Sequence, residues 1–184
     1  KSGTDIDLFI SLAHTTPETL KDIYTKLFSR MKEKGLAPKA QNVSINVKIN
    51  GLDVDLVPAK RQDATSQDHS LYRRKADTWT KTNIARHIAH VSQSGRVPEA
   101  RLLKLWRNQQ GLDLPSFYLE LTVINALAGK RGSLSENVWT VFEYLRDTFP
   151  AARVVDPANT NNIISDDLTA AEKGRVKEAA MRSL

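Results

Sequence analysis

The sequence of 184 residues predicts an α+β fold, with a sheet lobe over residues 1–82 and a helical lobe over residues 83–184. Three observations support this prediction. In residues 6–10 and 43–56, apolar and polar residues alternate with the period of two that is typical of strands. The Asn50-Gly51 pair lies between two such runs and indicates a tight hairpin. After Asn83 the apolar spacing becomes helical, and strands followed by helices are typical of α+β proteins.

The sheet lobe begins with one strand and one helix. Ile6, Leu8 and Ile10 alternate with Asp5, Asp7 and Phe9, which is the pattern of a strand with two unlike faces. We expect Thr16 to cap the helix, with Pro17 at the first helical position. Leucine, isoleucine and aromatic residues then recur at helical spacing until Gly35 ends the helix.

The hairpin and the segment after it complete the sheet lobe. Its two strands cover residues 43–49 and 52–57, and we expect Pro58 to end the second. Residues 59–82 are polar and are expected to be irregular. Segment 60–86 contains seven basic and three acidic residues, a net charge of +4, and would bind RNA or another polyanion. A solvated loop is the alternative.

Five helices account for most of the second lobe. The first two have apolar stripes, Ile84/Ile88/Val91 and Leu102/Leu103/Trp106. The others begin at Pro115 and at two capping boxes, Ser133-x-x-Glu136 and Thr169-x-x-Glu172. Residues 156–162 have the composition of a turn.

The composition excludes several classes of function. No apolar run reaches the roughly 20 residues that cross a bilayer, so we expect no membrane partner. The absence of cysteine excludes disulfides, thiol catalysis and cysteine zinc sites, and it fits a cytoplasmic location. The pI near 9.6 favours polyanionic partners such as nucleotides. His87 and His90 are three residues apart on a helix, but no third ligand follows at the spacing of a zinc site.

Two pairs of aspartates indicate a metal site. Asp5 and Asp7 leave the same face of one strand, and Asp53 and Asp55 repeat this geometry on another. Like charges on one sheet face are unfavourable unless a cation lies beside them. Mg²⁺, or Mn²⁺ in its place, would be bound by such carboxylates together with substrate phosphates. A merely solvated polar face is the alternative.

Several segments resemble a known enzyme superfamily. Gly3-Thr4-Asp5-Ile6-Asp7-Leu8-Phe9 and Asp55-Leu56-Val57-Pro58-Ala59 resemble the catalytic strands of polymerase-β-type nucleotidyltransferases. Arg101-Leu102-Leu103-Lys104-Leu105-Trp106 and Pro115-Ser116-Phe117-Tyr118-Leu119-Glu120-Leu121 resemble the helical half of oligoadenylate synthetases and bacterial cGAS-like enzymes, the CD-NTases. Asp156-Pro157 and Asn161-Asn162 also recur near the end of that group.

The resemblance implies a role for each matched residue. Asp5, Asp7 and Asp55 would be the metal-binding triad, and Asp53 would stand outside it because the third acid directly precedes the run that ends in proline. Lys104 and Ser116 would contact the triphosphate of the nucleotide. Phe117 would stack on the base, although core packing is an alternative for a helical aromatic residue.

The resemblance also implies a function. The chain would join nucleoside triphosphates into a cyclic or linear oligonucleotide signal in antiphage defence, releasing pyrophosphate. Template-independent addition of nucleotides to an RNA end, as in CCA-adding enzymes, is one alternative, and a non-catalytic nucleotide- or RNA-binding module is another. The family's Gly-Ser phosphate motif is not found before the Asp5 pair. Either the motif lies upstream of Lys1 in a longer chain or the enzyme is defective, and we expect the first, with an N-terminally incomplete nucleotidyltransferase sheet here.

Overall fold

The computed structural model describes residues 6–184 and confirms the α+β class. The strands are β1 Ile6–Leu12, β2 Lys39–Ala40, β3 Ile45–Ile49, β4 Leu52–Arg61, β5 His69–Arg73, β6 Thr78–Thr82, β7 Val155–Asp156 and β8 Asn159–Ile163. The helices are α1 Leu20–Glu33, α2 Ile84–Gln93, α3 Val97–Gln109, α4 Ser116–Ala126, α5 Leu134–Asp147 and α6 Ala170–Ser183. The chain divides into two compact units, of which the first ends at Ala85 and the second is Arg86–Leu184.

Strand β4 organises the sheet of the first unit. β1 pairs with it in parallel, whereas β3 and then β5 pair with it in antiparallel fashion. β2 and β6 extend the sheet beyond β3 and β5. One face of the sheet packs against α1 in an apolar cluster that includes Tyr24, Ile45, Val47, Val54 and Leu56. Because side chains alternate along a strand, the residues between these apolar ones lie on the opposite face.

The start of α1 differs from the prediction. The cap is Thr19, whose hydroxyl accepts a hydrogen bond from the Asp22 backbone N–H at 3.1 Å, while the Asp22 carboxylate accepts one from the Thr19 N–H. This reciprocal box satisfies two backbone donors, so the helix begins at Leu20 and Pro17 lies before it. Gly35 has a φ of 77° and follows the end of the helix as predicted.

The hairpin turn is confirmed, but the end of its second strand is not where the sequence placed it. Asn50 and Gly51 have φ values of 51° and 82°, as a two-residue hairpin turn of type I′ requires. β4 continues through Pro58 to Arg61. The reason is that β3 pairs with β4 only as far as Leu56 and β5 pairs from Ala59, so that edge has no partner at Pro58. A residue without an N–H is accommodated there.

The prediction of an irregular segment over residues 59–82 was wrong. This segment contains the end of β4 and the hairpin of β5 and β6, joined by a short 3-10 turn, Arg74–Ala76. Tyr72 and Trp79 are cross-strand partners in this hairpin. The turn ends at Asp77 in the left-handed conformation, without the glycine or proline that usually indicates a hairpin in a sequence.

The second unit is a helical core with one added hairpin. Its fully buried side chains come from all of α3, α4, α5 and α6, and both predicted capping boxes are present. Leu102 was wrongly assigned to the buried stripe of α3, since 41% of its surface is exposed while Leu103 is fully buried. The turn predicted over residues 156–162 is shorter in the structure, because β7 ends at Asp156 and β8 begins at Asn159. These two strands were not foreseen, because together they have only seven residues. No helix among residues 6–184 is long and apolar enough to cross a membrane.

Candidate active site

Asp7 and Asp55 lie side by side on the face of the sheet that is opposite α1. They are register partners in the parallel pairing of β1 with β4. Neighbouring strands are about 4.8 Å apart, and register partners project from the same face. The fold therefore places two carboxylates next to each other, an arrangement that costs free energy unless a cation neutralises it.

Hydrogen bonds from neighbouring side chains engage one carboxylate oxygen of Asp55 and not the other. Oδ1 accepts hydrogen bonds from Asn46 Nδ2 at 2.8 Å and from Gln41 Nε2 at 3.3 Å. Among the described residues, Oδ2 has no hydrogen-bond partner. Asp53 differs, because its carboxylate faces Lys48 Nζ at 3.8 Å on the adjacent strand. Asp55 is thus the register partner of Asp7 and has one carboxylate oxygen without a partner among the described residues, whereas Asp53 is paired with Lys48.

The donor set at this face suits a hard divalent cation. Carboxylate oxygens are the ligands that Mg²⁺ takes from proteins, alongside phosphate oxygens and water. Within residues 6–184, no group of three acidic, histidine or cysteine side chains is close enough to hold a metal. Asp5, the third member of the predicted triad, lies outside the described residues. Asp7 and Asp55 are the two predicted ligands that the structure brings together.

Lys104 and Glu120 form an ion pair between α3 and α4 in the second unit. The Lys104 side chain is one-third exposed and that of Glu120 less so. The sequence placed Lys104 off the apolar stripe of α3, free to face a cleft. The structure shows instead that its ammonium group is engaged by a carboxylate from the next helix.

Ser116 is the first residue of α4 and lies beside a second cation. Arg107 Nη1 donates to Ser116 Oγ at 3.0 Å and to the Leu114 backbone oxygen at 2.7 Å. Arg107 is three residues after Lys104 on α3, so both cations lie on the side of α3 that meets α4. The first backbone N–H groups of a helix have no intrahelical partner and attract phosphate oxygens.

Phe117 follows Ser116 and contacts an aromatic side chain from α2. Its half-buried ring packs against the core of the second unit. The ring centroid is 4.3 Å from that of His87, with 35° between the planes. His87 Nε2 is in turn 2.7 Å from Asp156 Oδ1.

Sequence reasoning missed four of these residues as parts of the site. Arg107 and Glu120 could have been found by their helical spacing, because each lies on the same helix face as a predicted residue. His87 was considered only as a metal ligand, and Asp156 only as part of a motif. Their contact joins positions 69 residues apart in the chain, which no local pattern indicates.

The chain is similar to known proteins in sequence and in structure. No family model matches the chain. The cyclic AMP-AMP-AMP synthase of Escherichia coli strain MS 115-1 is 20% identical over an alignment of 222 residues, which covers 98% of this chain and 69% of the synthase. CdnC from the same strain, solved with ATP, has a TM-score of 0.72 at 21% identity, and the match covers 98% of this chain and 70% of CdnC.

A third relative is a synthase of a different cyclic nucleotide. The Vibrio cholerae DncV cyclic AMP-GMP synthase, solved with a linear intermediate, has a TM-score of 0.71 at 18% identity, and the match covers 98% of this chain and 56% of DncV. The chain has the fold of the bacterial CD-NTases. The resemblance predicted from the catalytic-strand and helical motifs is thereby confirmed, and the relatives in sequence and in structure are nucleotidyltransferase enzymes.

Proposed function

We propose that this protein is a divalent-metal-dependent nucleotidyltransferase that joins nucleoside triphosphates into a cyclic or linear oligonucleotide and releases pyrophosphate. The observation that carries the proposal is the register of Asp7 with Asp55 across β1 and β4. It occurs in a chain whose relatives are named as synthases of cyclic nucleotides. A role in cytoplasmic antiphage signalling extends the proposal by resemblance to those enzymes.

The carboxylate face would supply the metal site and a proton acceptor. Asp7 and Asp55 would hold Mg²⁺, or Mn²⁺, together with Asp5. A bound divalent ion would stabilise charge on the phosphates and favour ionisation of the attacking hydroxyl. That hydroxyl attacks the α-phosphate, its oxygen forms the new bond, and pyrophosphate leaves. Asp55 Oδ2, which has no partner among the described residues, would accept the hydroxyl proton.

The first turn of α4 and the facing side of α3 would bind the triphosphate. Lys104 and Arg107 supply two positive charges there, and Glu120 offsets one of them. A triphosphate carries more negative charge than one carboxylate, so it would displace Glu120 from Lys104. Ser116 Oγ would contact a phosphate oxygen, and Phe117 would stack on the base. The protein thus contributes positioning and charge stabilisation, which are what phosphoryl transfer needs.

Addition of nucleotides to an RNA end is a second candidate, favoured by the β5–β6 hairpin. Trp79 is 57% exposed on the edge strand β6, and the turn of the hairpin contains Arg74 and Lys75. Exposed aromatic rings and cations together bind single-stranded nucleic acids by stacking and charge. In this segment Lys81 is already paired with Asp68 at 3.3 Å, which lowers the charge available to a polyanion.

The two candidates are distinguished by their products. The full-length protein is incubated with radiolabelled nucleoside triphosphates and Mg²⁺, with and without RNA, and the products are separated by chromatography. Small oligonucleotides formed without RNA support the synthase. Elongation that occurs only with RNA supports the end-adding transferase, and the absence of any product in both arms contradicts both.

A non-catalytic nucleotide-binding module is tested by substitution in the triad. The double variant Asp5→Asn, Asp7→Asn should lose turnover while keeping its secondary structure by circular dichroism. Turnover that survives in this variant would show that the metal site has been assigned to the wrong residues.

A further inference from the structure

His87 is held in one orientation by a buried carboxylate. Asp156 is only 3% exposed, and its Oδ1 lies 2.7 Å from His87 Nε2. The same oxygen accepts the Ala158 backbone N–H at 2.8 Å, and Oδ2 accepts Asn162 Nδ2 at 3.2 Å. Asp156 and Asn162, one residue from each pair of the sequence motif, therefore belong to one network with His87, which the proposed chemistry does not use.

The charge state of Asp156 fixes which histidine nitrogen carries a proton. Burial alone would raise the pKa of Asp156, but the hydrogen bonds from His87, Ala158 and Asn162 together lower it below its ordinary value. An ionised carboxylate only accepts hydrogen bonds, so His87 Nε2 must donate. A donor bond to a buried anion restrains the imidazole plane, as carboxylates do for histidines in other sites.

The restrained imidazole lies against Phe117. The centroid separation of 4.3 Å and the 35° angle place the two rings in a tilted stack. Only 16% of the His87 side chain is exposed, whereas Phe117 remains half-buried with part of its surface accessible. Stacked aromatic pairs gain stability beyond their buried area, so His87 limits the movement of the Phe117 ring.

We propose that His87 is a positioning residue for nucleotide binding: fixed by Asp156, it supports the Phe117 ring in the orientation that stacks on the base. The inference rests on the proposed function, because it assumes that Phe117 meets a base. It also replaces the metal interpretation of His87 and His90. His90 is exposed, and within residues 6–184 no group of three ligands that could hold a metal includes either histidine.

The test compares a ligand that has a base with one that has none. ATP and inorganic tripolyphosphate share the charged chain, but only ATP can stack. Dissociation constants of both are measured by calorimetry on the full-length protein and on His87→Ala. We expect ATP to bind His87→Ala about 3- to 10-fold more weakly, the range of one aromatic contact. Tripolyphosphate should bind both proteins equally.

Three further variants separate positioning from general destabilisation. His90→Ala, on the same helix, should leave both dissociation constants unchanged. His87→Phe keeps a ring against Phe117 but cannot donate to Asp156, and should fall between wild type and His87→Ala for ATP. If His87→Ala does not fold, Asp156→Asn is measured in its place, and the same selective loss of ATP binding is expected.

The outcomes distinguish this inference from the proposed function. If wild type joins nucleotides and binds ATP, but His87→Ala and Asp156→Asn leave the ratio of ATP to tripolyphosphate affinity unchanged, the inference is wrong and the function stands. An equal loss of affinity for both ligands would also overturn it, because a damaged fold produces that result. If wild type binds neither ligand, the proposed function itself is wrong.

Discussion

Replacing Asp55 by asparagine should separate catalysis from stability. The substitution keeps an oxygen that can accept the bonds from Asn46 and Gln41 and removes the charge beside Asp7. Two unit charges about 5 Å apart repel by about 1 kcal/mol in water. Each of the two hydrogen bonds to Oδ1 becomes weaker by about 1 kcal/mol when the acceptor is neutral, which is about 2 kcal/mol together. These two changes oppose each other, so the free energy of unfolding should stay within about 1 kcal/mol of wild type.

The same variant should lose most of its activity. If Asp55 binds the metal and accepts the hydroxyl proton, its loss should lower kcat by at least about 100-fold. Pyrophosphate release measures the rate, and thermal unfolding measures the stability, with an expected change in Tm of no more than about 4 °C. Mg²⁺ should raise the Tm of wild type more than that of Asp55→Asn, since a ligand stabilises only the state that binds it.

The matched control for this experiment is Asp53→Asn. Asp53 lies two residues from Asp55 on the same strand and face, but it is paired with Lys48. This control should retain kcat within about 3-fold, the range expected of a surface ion pair. Equal loss of activity in both variants, or full activity in Asp55→Asn, would refute the assignment of the acid pair.

Three other predictions follow from single contacts. Lys104→Met should weaken tripolyphosphate binding at least 10-fold, whereas Glu120→Gln, which removes the competing carboxylate, should strengthen it about 5-fold. Calorimetry measures both dissociation constants. Equal effects of the same sign would contradict the displacement of Glu120 from Lys104 by phosphate. Because the pKa of Asp156 is lowered on folding, its contribution to stability is present above the ordinary aspartate pKa near 3.9 and is lost as the pH falls through the lowered value. In urea unfolding, the stability gap between wild type and Asp156→Asn should therefore close between about pH 5 and pH 2, and a gap independent of pH would argue against an ionised Asp156. Ser133→Ala, which removes the cap of α5, should cost about 1 kcal/mol and lower the Tm by about 2–4 °C, and an unchanged Tm would count against the capping box.

Local chemistry explains why parts of the fold could be predicted from the sequence. The Asn50-Gly51 turn and the caps at Ser133 and Thr169 depend only on residues within four positions of one another. The continuation of β4 past Pro58 could not be predicted in this way, because it depends on where β3 stops and β5 starts along the same edge. Strand pairing between distant segments decides such boundaries.

In the candidate site, too, local spacing could be predicted from the sequence, whereas contacts between separate elements could not. The spacing of Asp53 and Asp55 gave two acids on one face, and the resemblance favoured Asp55, whose partner in the structure is Asp7. The pairing of Lys104 with Glu120 and of His87 with Asp156 could not be inferred from spacing, because each joins two separate elements. The side chains of the proposed chemistry were thus predicted from the sequence, whereas the contacts that hold Lys104 and His87 became visible only in the folded chain.

Each unit has its own charged group under the proposed function. Asp7 and Asp55, which are register partners in the first unit, would bind a divalent cation. Lys104 and Arg107, on the side of α3 that meets α4 in the second unit, would bind phosphate oxygens. Asp55→Asn should therefore weaken chiefly the dependence on Mg²⁺, and Lys104→Met chiefly the affinity for the phosphate chain.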